Sequence, residues 1–217
     1  MKIIFYSAQT SNRGFIPSIK EQSIYEFDYW FAHDNHFEAT ENKGWNYINI
    51  KHRYPSLGYY KKHRLVKMVP RLLFDNFDYT VWVDCKFYQH KDFYKHCLNI
   101  INNEQPEWMA CYHKQKRTLK QELDFAANNR YVPQKELEIL ENKLRFKFFS
   151  TDTCWLIRKN TDKNHDIGHQ WFKDTDKYFS YTTRDQLTFP LCVDEKYLNL
   201  NHSIEELEKH SFIRHVM

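Results

Sequence analysis

The sequence predicts an α/β protein with a mostly parallel central sheet flanked by helices. Two observations predict it. Apolar strand-like runs alternate with segments of helical periodicity along most of the chain. Several of the strand-like runs also stop abruptly on a polar or charged side chain, as strands do when their carboxyl ends face a ligand. "DYTVWVDCKFYQH" (78–90) is the clearest case, because its apolar run Thr80–Val83 ends on Asp84 and Lys86. Residues two apart in an extended chain project to the same face, so the acid and the base share a side.

Taken in order, "KIIFYSA" (2–8) opens the chain as a strand and closes in the polar turn "QTSNRG". "DYWFAHD" (28–34) is a second apolar run and ends on Asp34, and "WNYINI" (45–50) is a third. Leu65, Met68, Val69, Leu72 and Leu73 recur at helical spacing, interrupted by Pro70. The strand "TVWVD" follows. "DFYKHCLNIINN" (92–103) places Phe93, Cys97, Ile100 and Ile101 on one helical face, and "EWMACYH" (107–113) is a strand ending on His113. Residues 118–129 and 133–146 read as helices, the second with Pro133 in its first turn. "TCWLIR" (153–158) returns to strand, and 165–179 is helical in pattern. "TRDQLTFPLCV" (183–193) turns from polar to apolar. "SIEELEKH" (203–210) opens on a capping box of Ser203 and Glu206. Neither an internal repeat nor a domain boundary is visible, so residues 1–217 read as a single domain.

Composition narrows the function. Of 217 residues 41% are apolar, which allows a sizeable core, and only 4 Gly and 6 Pro argue against disordered linkers. A net charge of +4 suits an anionic ligand without requiring nucleic acid. The five cysteines lack C-x-x-C spacing, which argues against a cysteine zinc cluster and suits a reducing compartment. Neither a signal peptide nor a run of about 20 apolar residues is present. The expectation is a cytoplasmic protein without a membrane span. A zinc hydrolase H-E-x-x-H pattern, a glycine-rich phosphate loop and a G-x-S-x-G elbow are all missing from the sequence.

Upstream of Asp84 lies a cationic cluster of Lys61, Lys62, His63, Arg64, Lys67 and Arg71. On a helix Arg64, Lys67 and Arg71 would share a face. That face either aims cations at the Asp84 end of the strand or is merely solvated.

Four segments, in order, resemble the glycosyltransferase-like family once called domain of unknown function 616. They are "DYWFAHDN", "HRLVKMVPRLLFDNFDYTVWVDCKF", "CYHKQKRTLKQELDFA" and "TRDQLTFPLCV", and the resemblance spans about residues 1 to 195. It implies a GT-A-like (Rossmann-like) fold and transfer of a hexosyl or pentosyl unit from a nucleotide-sugar donor to an acceptor hydroxyl. Carried over by residue, it implies that Asp34 binds the base or ribose and that Arg64 and Lys67 hold the diphosphate. Asp84 would stand where the family's acidic motif ties a metal or the donor sugar. His113, Arg117 and Glu122 would line the sugar or acceptor side. Asp185, with Arg184 and Gln186, would face the reacting carbon or the acceptor hydroxyl, which makes Asp185 and Glu122 the candidate catalytic carboxylates.

The usual Asp-x-Asp pair reads Asp84-Cys85-Lys86 here. A divalent cation (Mn or Mg) needs several oxygen ligands, so Asp84 would share it with the diphosphate, and His202 is a further candidate ligand. Alternatively Lys86 and Arg64 replace the metal with fixed charge. The acceptor is either a glycan or a hydroxylated base in DNA. "HKQKRTLK" and "KHRYPSLGYYKKHR" interleave cations and aromatics as nucleic-acid grooves do. A non-catalytic nucleotide- or nucleic-acid-binding module is the rival reading. Asp34 also reads as a turn residue, Trp82 as core, His113 as a surface residue, and Arg184 with Asp185 as a helix cap.

Overall fold

The computed structural model describes residues 1–10, 28–34, 44–85, 87–89, 92–112, 119–129, 133–144, 151–178 and 185–213. Its apolar runs become strands buried on both faces. In β1 (Ile3–Gln9), Ile3 and Phe5 enter one core while Ile4 and Tyr6 enter the other. Such two-sided burial is what a covered parallel sheet requires. β2 (Asp28–His33) and β3 (Asn46–Asn49) pair parallel outward from β1, and β4 (Tyr79–Val83) pairs parallel on its other side.

Between β3 and β4 runs α1 (Tyr59–Met68). Pro70 stops it, and a 3₁₀ turn over Pro70–Leu72 carries the chain to β4. The sequence-predicted common face of Arg64, Lys67 and Arg71 is therefore broken. Arg71 leaves the helix and binds Asn160 and Asp162 instead.

After the short β5 (Phe87–Gln89) come α2 (Phe93–Glu104) and β6 (Trp108–Tyr112). Next are α3 (Leu119–Asn128), α4 (Gln134–Leu144), β7 (Thr151–Lys159) and α5 (Asp162–Tyr178). A 3₁₀ turn over Asp185–Leu187 leads into α6 (Phe189–Cys192). β8 (Leu198–Asn199), α7 (Ile204–His210) and β9 (Ser211–Ile213) complete the described elements.

The seven-stranded sheet has the order β3-β2-β1-β4-β7-β6-β8, and β5 pairs with β9 in a second small sheet. Only β7 runs antiparallel to its neighbours in the large sheet, so the predicted mostly parallel α/β architecture is what forms. One face packs α2 and α7 through Phe93, Cys97, Ile101 and Leu207. The other packs α1 and α5 through Leu65, Met68 and Trp171. All five cysteines are free, and Cys97, Cys111 and Cys154 are buried as small hydrophobes. Among the described residues, no helix is long and apolar enough to cross a membrane.

Candidate functional site

Lys67 lies in the last turn of α1, and its position is set by a buried arginine. Arg158 of β7 donates to the Met68 carbonyl at 2.5 Å and to the Lys67 carbonyl at 2.8 Å. The Tyr6 hydroxyl also donates to the Lys67 carbonyl at 2.8 Å. Carbonyls at a helix end lack partners within the helix, and these donors satisfy them. The Arg158 guanidinium rests 4.6 Å from the Trp108 ring centre, a favourable cation–π placement. Gly168 of α5 passes against the Met68 carbonyl, and a Cβ there would collide with its oxygen.

Held this way, the Lys67 amine reaches three oxygens at the sheet's rim. It donates to Asp185 Oδ2 at 2.8 Å and to Thr153 Oγ1 at 2.9 Å, and it lies 3.6 Å from Asp84 Oδ1. Burial alone would push its pKa down. The facing carboxylates of Asp185 and Asp84 outweigh that and hold it above the ordinary lysine value, so it stays charged. Thr153 Oγ1 donates onward to Asp185 Oδ1 at 3.3 Å. The main chain of Asp185 is fixed as well, since its carbonyl accepts from Trp171 Nε1 and Thr188 Oγ1. Asp185 does open a 3₁₀ turn, as a capping residue would, and its carboxylate points into the cluster nonetheless.

Asp84 is the open member. Its side chain is 26% exposed, against 8% for Asp185 and 4% for Lys67, so Asp84 is the acid that solvent or a ligand meets. Trp82 is core, as expected, yet its Nε1 donates to Asp84 Oδ1 at 2.8 Å. On the far side of Asp185, Gln186 Nε2 donates to Glu122 Oε1 at 2.8 Å. Glu122 is carried there by α3, whose Leu123 and Ala126 pack with Leu187. A chain of contacts thus runs from Trp82 through Asp84, Lys67 and Asp185 to Gln186 and Glu122.

Arg64 is buried one helical turn before Lys67. Burial lowers its pKa, while the charges of Asp185 and Asp176 pull it back up. Asp34 is buried at the end of β2. β2 and β4 flank β1, so Asp34 and Asp84 stand on strands two spacings apart, roughly 10 Å across the sheet. Cys85 Sγ donates to Gln9 Oε1 at 2.8 Å, tying the β4 end to the β1 end. Lys86, His113, Arg117 and Arg184 lie outside the described residues. His202 sits in a different group, between Glu104 and Glu206, whereas Asp84 contacts Trp82 and Lys67.

Sequence reasoning missed Thr153, Asp152 and Arg158, and placed His63 only within the cationic cluster. Thr153 is aimed by a bulge. The β6–β7 register shifts between Ala110 and Cys111, and Cys154 and Trp155 then both face the α2 side. Leu156 and Thr153 are left on the α1 side, and alternation alone does not reveal this. Asp152 adds a third carboxylate to the field on Lys67. His63 feels both Asp84 and Asp185, and its ring meets Trp82 edge-on at 5.4 Å. His165 and His169 stand at H-x-x-x-H spacing on α5 with ring centres 4.5 Å apart. Among the described residues they gain no third metal-capable partner.

No family model and no curated protein matches this sequence. Among solved structures, mouse xyloside xylosyltransferase 1 in its apo form superimposes with a TM-score of 0.55 at 6% identity, covering 92% of this chain and 85% of that one. A glycosyltransferase involved in glycosylation of the major capsid of PBCV-1 gives 0.49 at 10% identity, over 93% and 82%. The core-mannan synthase A of Aspergillus fumigatus, in its Mn/GDP form, gives 0.48 at 10% identity, over 100% and 75%. The chain has the GT-A-like fold that glycosyltransferases use. Identities this low speak to fold and not to substrate.

Proposed function

We propose that this protein is a glycosyltransferase that moves a hexosyl or pentosyl unit from a nucleotide-sugar donor to a glycan hydroxyl, as its resemblance to the family once called domain of unknown function 616 implies. The observation that carries the reading is the Asp84–Lys67–Asp185 cluster at the carboxyl ends of the strands, where ligands bind in α/β sheets. Asp34, two strands over, takes the base or ribose, and the gap of roughly 10 Å suits a nucleoside reaching a diphosphate at Asp84.

Glycosyl transfer develops positive charge on the sugar and negative charge on the leaving diphosphate. Asp185 stabilises the sugar cation, with its carboxylate fixed by Lys67 and Thr153. Glu122, oriented by Gln186, receives the acceptor proton. Arg64 and Lys67 supply fixed positive charge beneath the diphosphate. Among the described residues, the side-chain contacts of Asp84 reach Oδ1, so Asp84 is the residue that would hold a divalent cation, Mn or Mg, if one is bound. When bound, that cation neutralises the leaving group. Lys86 adds charge on the donor side, and His113, Arg117 and Arg184 serve the acceptor side.

Incubation with a panel of nucleotide sugars tests this. One donor should release its nucleoside diphosphate, and Asp84→Ala should abolish the release. If no donor is bound or cleaved, and Asp84→Ala leaves every measured activity intact, the transferase reading is wrong.

The second acceptor reading, a hydroxylated DNA base, has one observation in its favour: Tyr59 and Tyr60 are exposed with ring centres 4.1 Å apart, a stacking surface. Two neighbouring cations are spent elsewhere. Lys61 pairs with Asp176 at 2.7 Å, and Lys62 donates to the Lys51 carbonyl. A salt series separates the readings, because DNA affinity falls steeply with salt and glycan affinity does not.

A further inference from the structure

We propose that His96, His202 and Glu206 form a binding site for a nitrogen-preferring divalent cation of the zinc class, on the opposite face of the sheet from the Lys67 cluster. The three come from separate elements: His96 from α2, His202 from the turn after β8, and Glu206 from the first turn of α7. Their ligand atoms all lie within 4.8 Å of one another. His96 Nε2 is 2.9 Å from Glu206 Oε1, and His202 Nδ1 is 2.9 Å from Glu206 Oε2. Both imidazoles lie against Trp155, at 5.7 and 6.0 Å between ring centres.

His202 is held by a carboxylate on each side. Its other nitrogen, Nε2, lies 3.0 Å from Glu104 Oε1, and Glu104 in turn accepts from Asn199 Nδ2. A neutral imidazole has one N–H, yet His202 meets a carboxylate oxygen at each nitrogen. With the proton on Nε2, donated to Glu104, the Nδ1 lone pair faces a Glu206 oxygen that is also an acceptor. The contact needs positive charge between them. A second proton on His202 would answer that contact, and an Nε2–H on His96 the contact with Glu206 Oε1. A metal ion satisfies His202 Nδ1, His96 Nε2 and Glu206 together. The Glu104–His202 pair is then the carboxylate–histidine arrangement that orients metal-ligating imidazoles and raises their basicity.

Zinc-to-ligand distances of 2.0–2.2 Å at tetrahedral angles put neighbouring donor atoms about 3.4 Å apart, a spacing these side chains reach by small rotations. Two imidazoles and one carboxylate favour zinc over the oxygen-seeking Mn or Mg. The backbone at this point is anchored, since Tyr112 N–H donates to the His202 carbonyl. Ser203 Oγ accepts from Glu206 N–H, the forward half of the capping box. The Glu206 carboxylate, which would complete the box, is turned to the histidines instead.

The site does not depend on the transferase reading. Its test uses the whole chain, stripped with a chelator and titrated with zinc alone and with cobalt as a spectroscopic probe. One equivalent should bind, cobalt should show nitrogen and oxygen ligation without a thiolate charge-transfer band, and zinc should raise Tm. His96→Ala and Glu206→Gln should each lower affinity at least tenfold and remove the Tm rise while circular dichroism stays native. Asp84→Ala should leave the stoichiometry at one. Absence of bound zinc in the wild type, or full binding in the His96→Ala/Glu206→Gln double variant, overturns the proposal and leaves an imidazolium–carboxylate network only.

Discussion

On the face packed by α1 and α5, the acids of the rim come with their own cation: Lys67 stands 2.8 Å from Asp185 and 3.6 Å from Asp84. On the face packed by α2 and α7, the ion-pair partners of Glu104 and Glu206 among the described residues are histidines, which carry charge only when a proton or a metal arrives. The Lys67–Asp185 and His96–Glu206 pairs also differ in wetness, with Asp84 the open group on the first face and His202 the buried one on the second. The Lys67 and Asp185 side chains are 4% and 8% exposed, whereas those of His96 and Glu206 are 21% and 27% exposed. A dry cluster has to be neutralised from within, because an unpaired buried charge is costly. A partly exposed one can take its positive charge from solution.

The largest expected effect breaks the dry face. Lys67→Met leaves Asp84 and Asp185 without their shared cation and should cost about 3–5 kcal/mol in urea unfolding. His96→Gln, in the wetter pair and without metal, should cost about 1 kcal/mol or less. Equal costs would erase the contrast. A Lys67→Met/Asp185→Asn double variant should recover part of the loss, because the two residues are in direct contact.

Asp185→Asn probes chemistry over stability. It keeps the shape and removes the charge, so donor turnover should fall about 10²–10³-fold with donor affinity nearly unchanged. A fall in affinity without a fall in kcat would make Asp185 a binding group only.

Gly168→Ala reaches the same face indirectly. Its Cβ must push aside the Met68 carbonyl that Arg158 holds. A loss of about 1–3 kcal/mol is expected by thermal or chemical unfolding, as for other overpacked sites. An unaltered Tm would mean that α5 shifts away freely.

The smallest effect is one of pH. Burial lowers the pKa of His63, with Asp84 pulling it back up. A folded pKa below the unfolded value near 6.5 means that the unfolded chain binds more protons in that window. The stability from neutral His63 is therefore present above about pH 6.5 and lost as pH falls through the folded pKa. His33 is lowered in the same direction, chiefly by burial. His63→Gln should flatten the fall in Tm between pH 7.5 and 5, and an unchanged slope would assign it to other groups.

Much of this was legible from the chain itself. The Trp82–Asp84 strand end announced itself because ions do not belong in a buried strand. Lys67 stood out in a cationic helix leading to that end, and Asp185, Gln186 and Glu122 came from the resemblance. The rest depended on contacts that no local pattern encodes. Thr153 points inward only because β7 bulges against β6. Arg158 was only the last letter of the strand-like run 153–158, and its work on the end of α1 spans 90 residues of sequence. His96 and Glu206 meet because β6 and β8 pair and set α2 beside α7. Arg71 shows the opposite error. Its helical spacing was genuine in sequence, but Pro70 turned it away from the site.

The most direct test of the central claim is a crystal soaked with a nucleoside diphosphate. The account predicts that the diphosphate lies at the carboxyl end of β4 against Asp84, with the base reaching toward Asp34. A nucleotide bound away from both acids, or on the α2–α7 face, would contradict it.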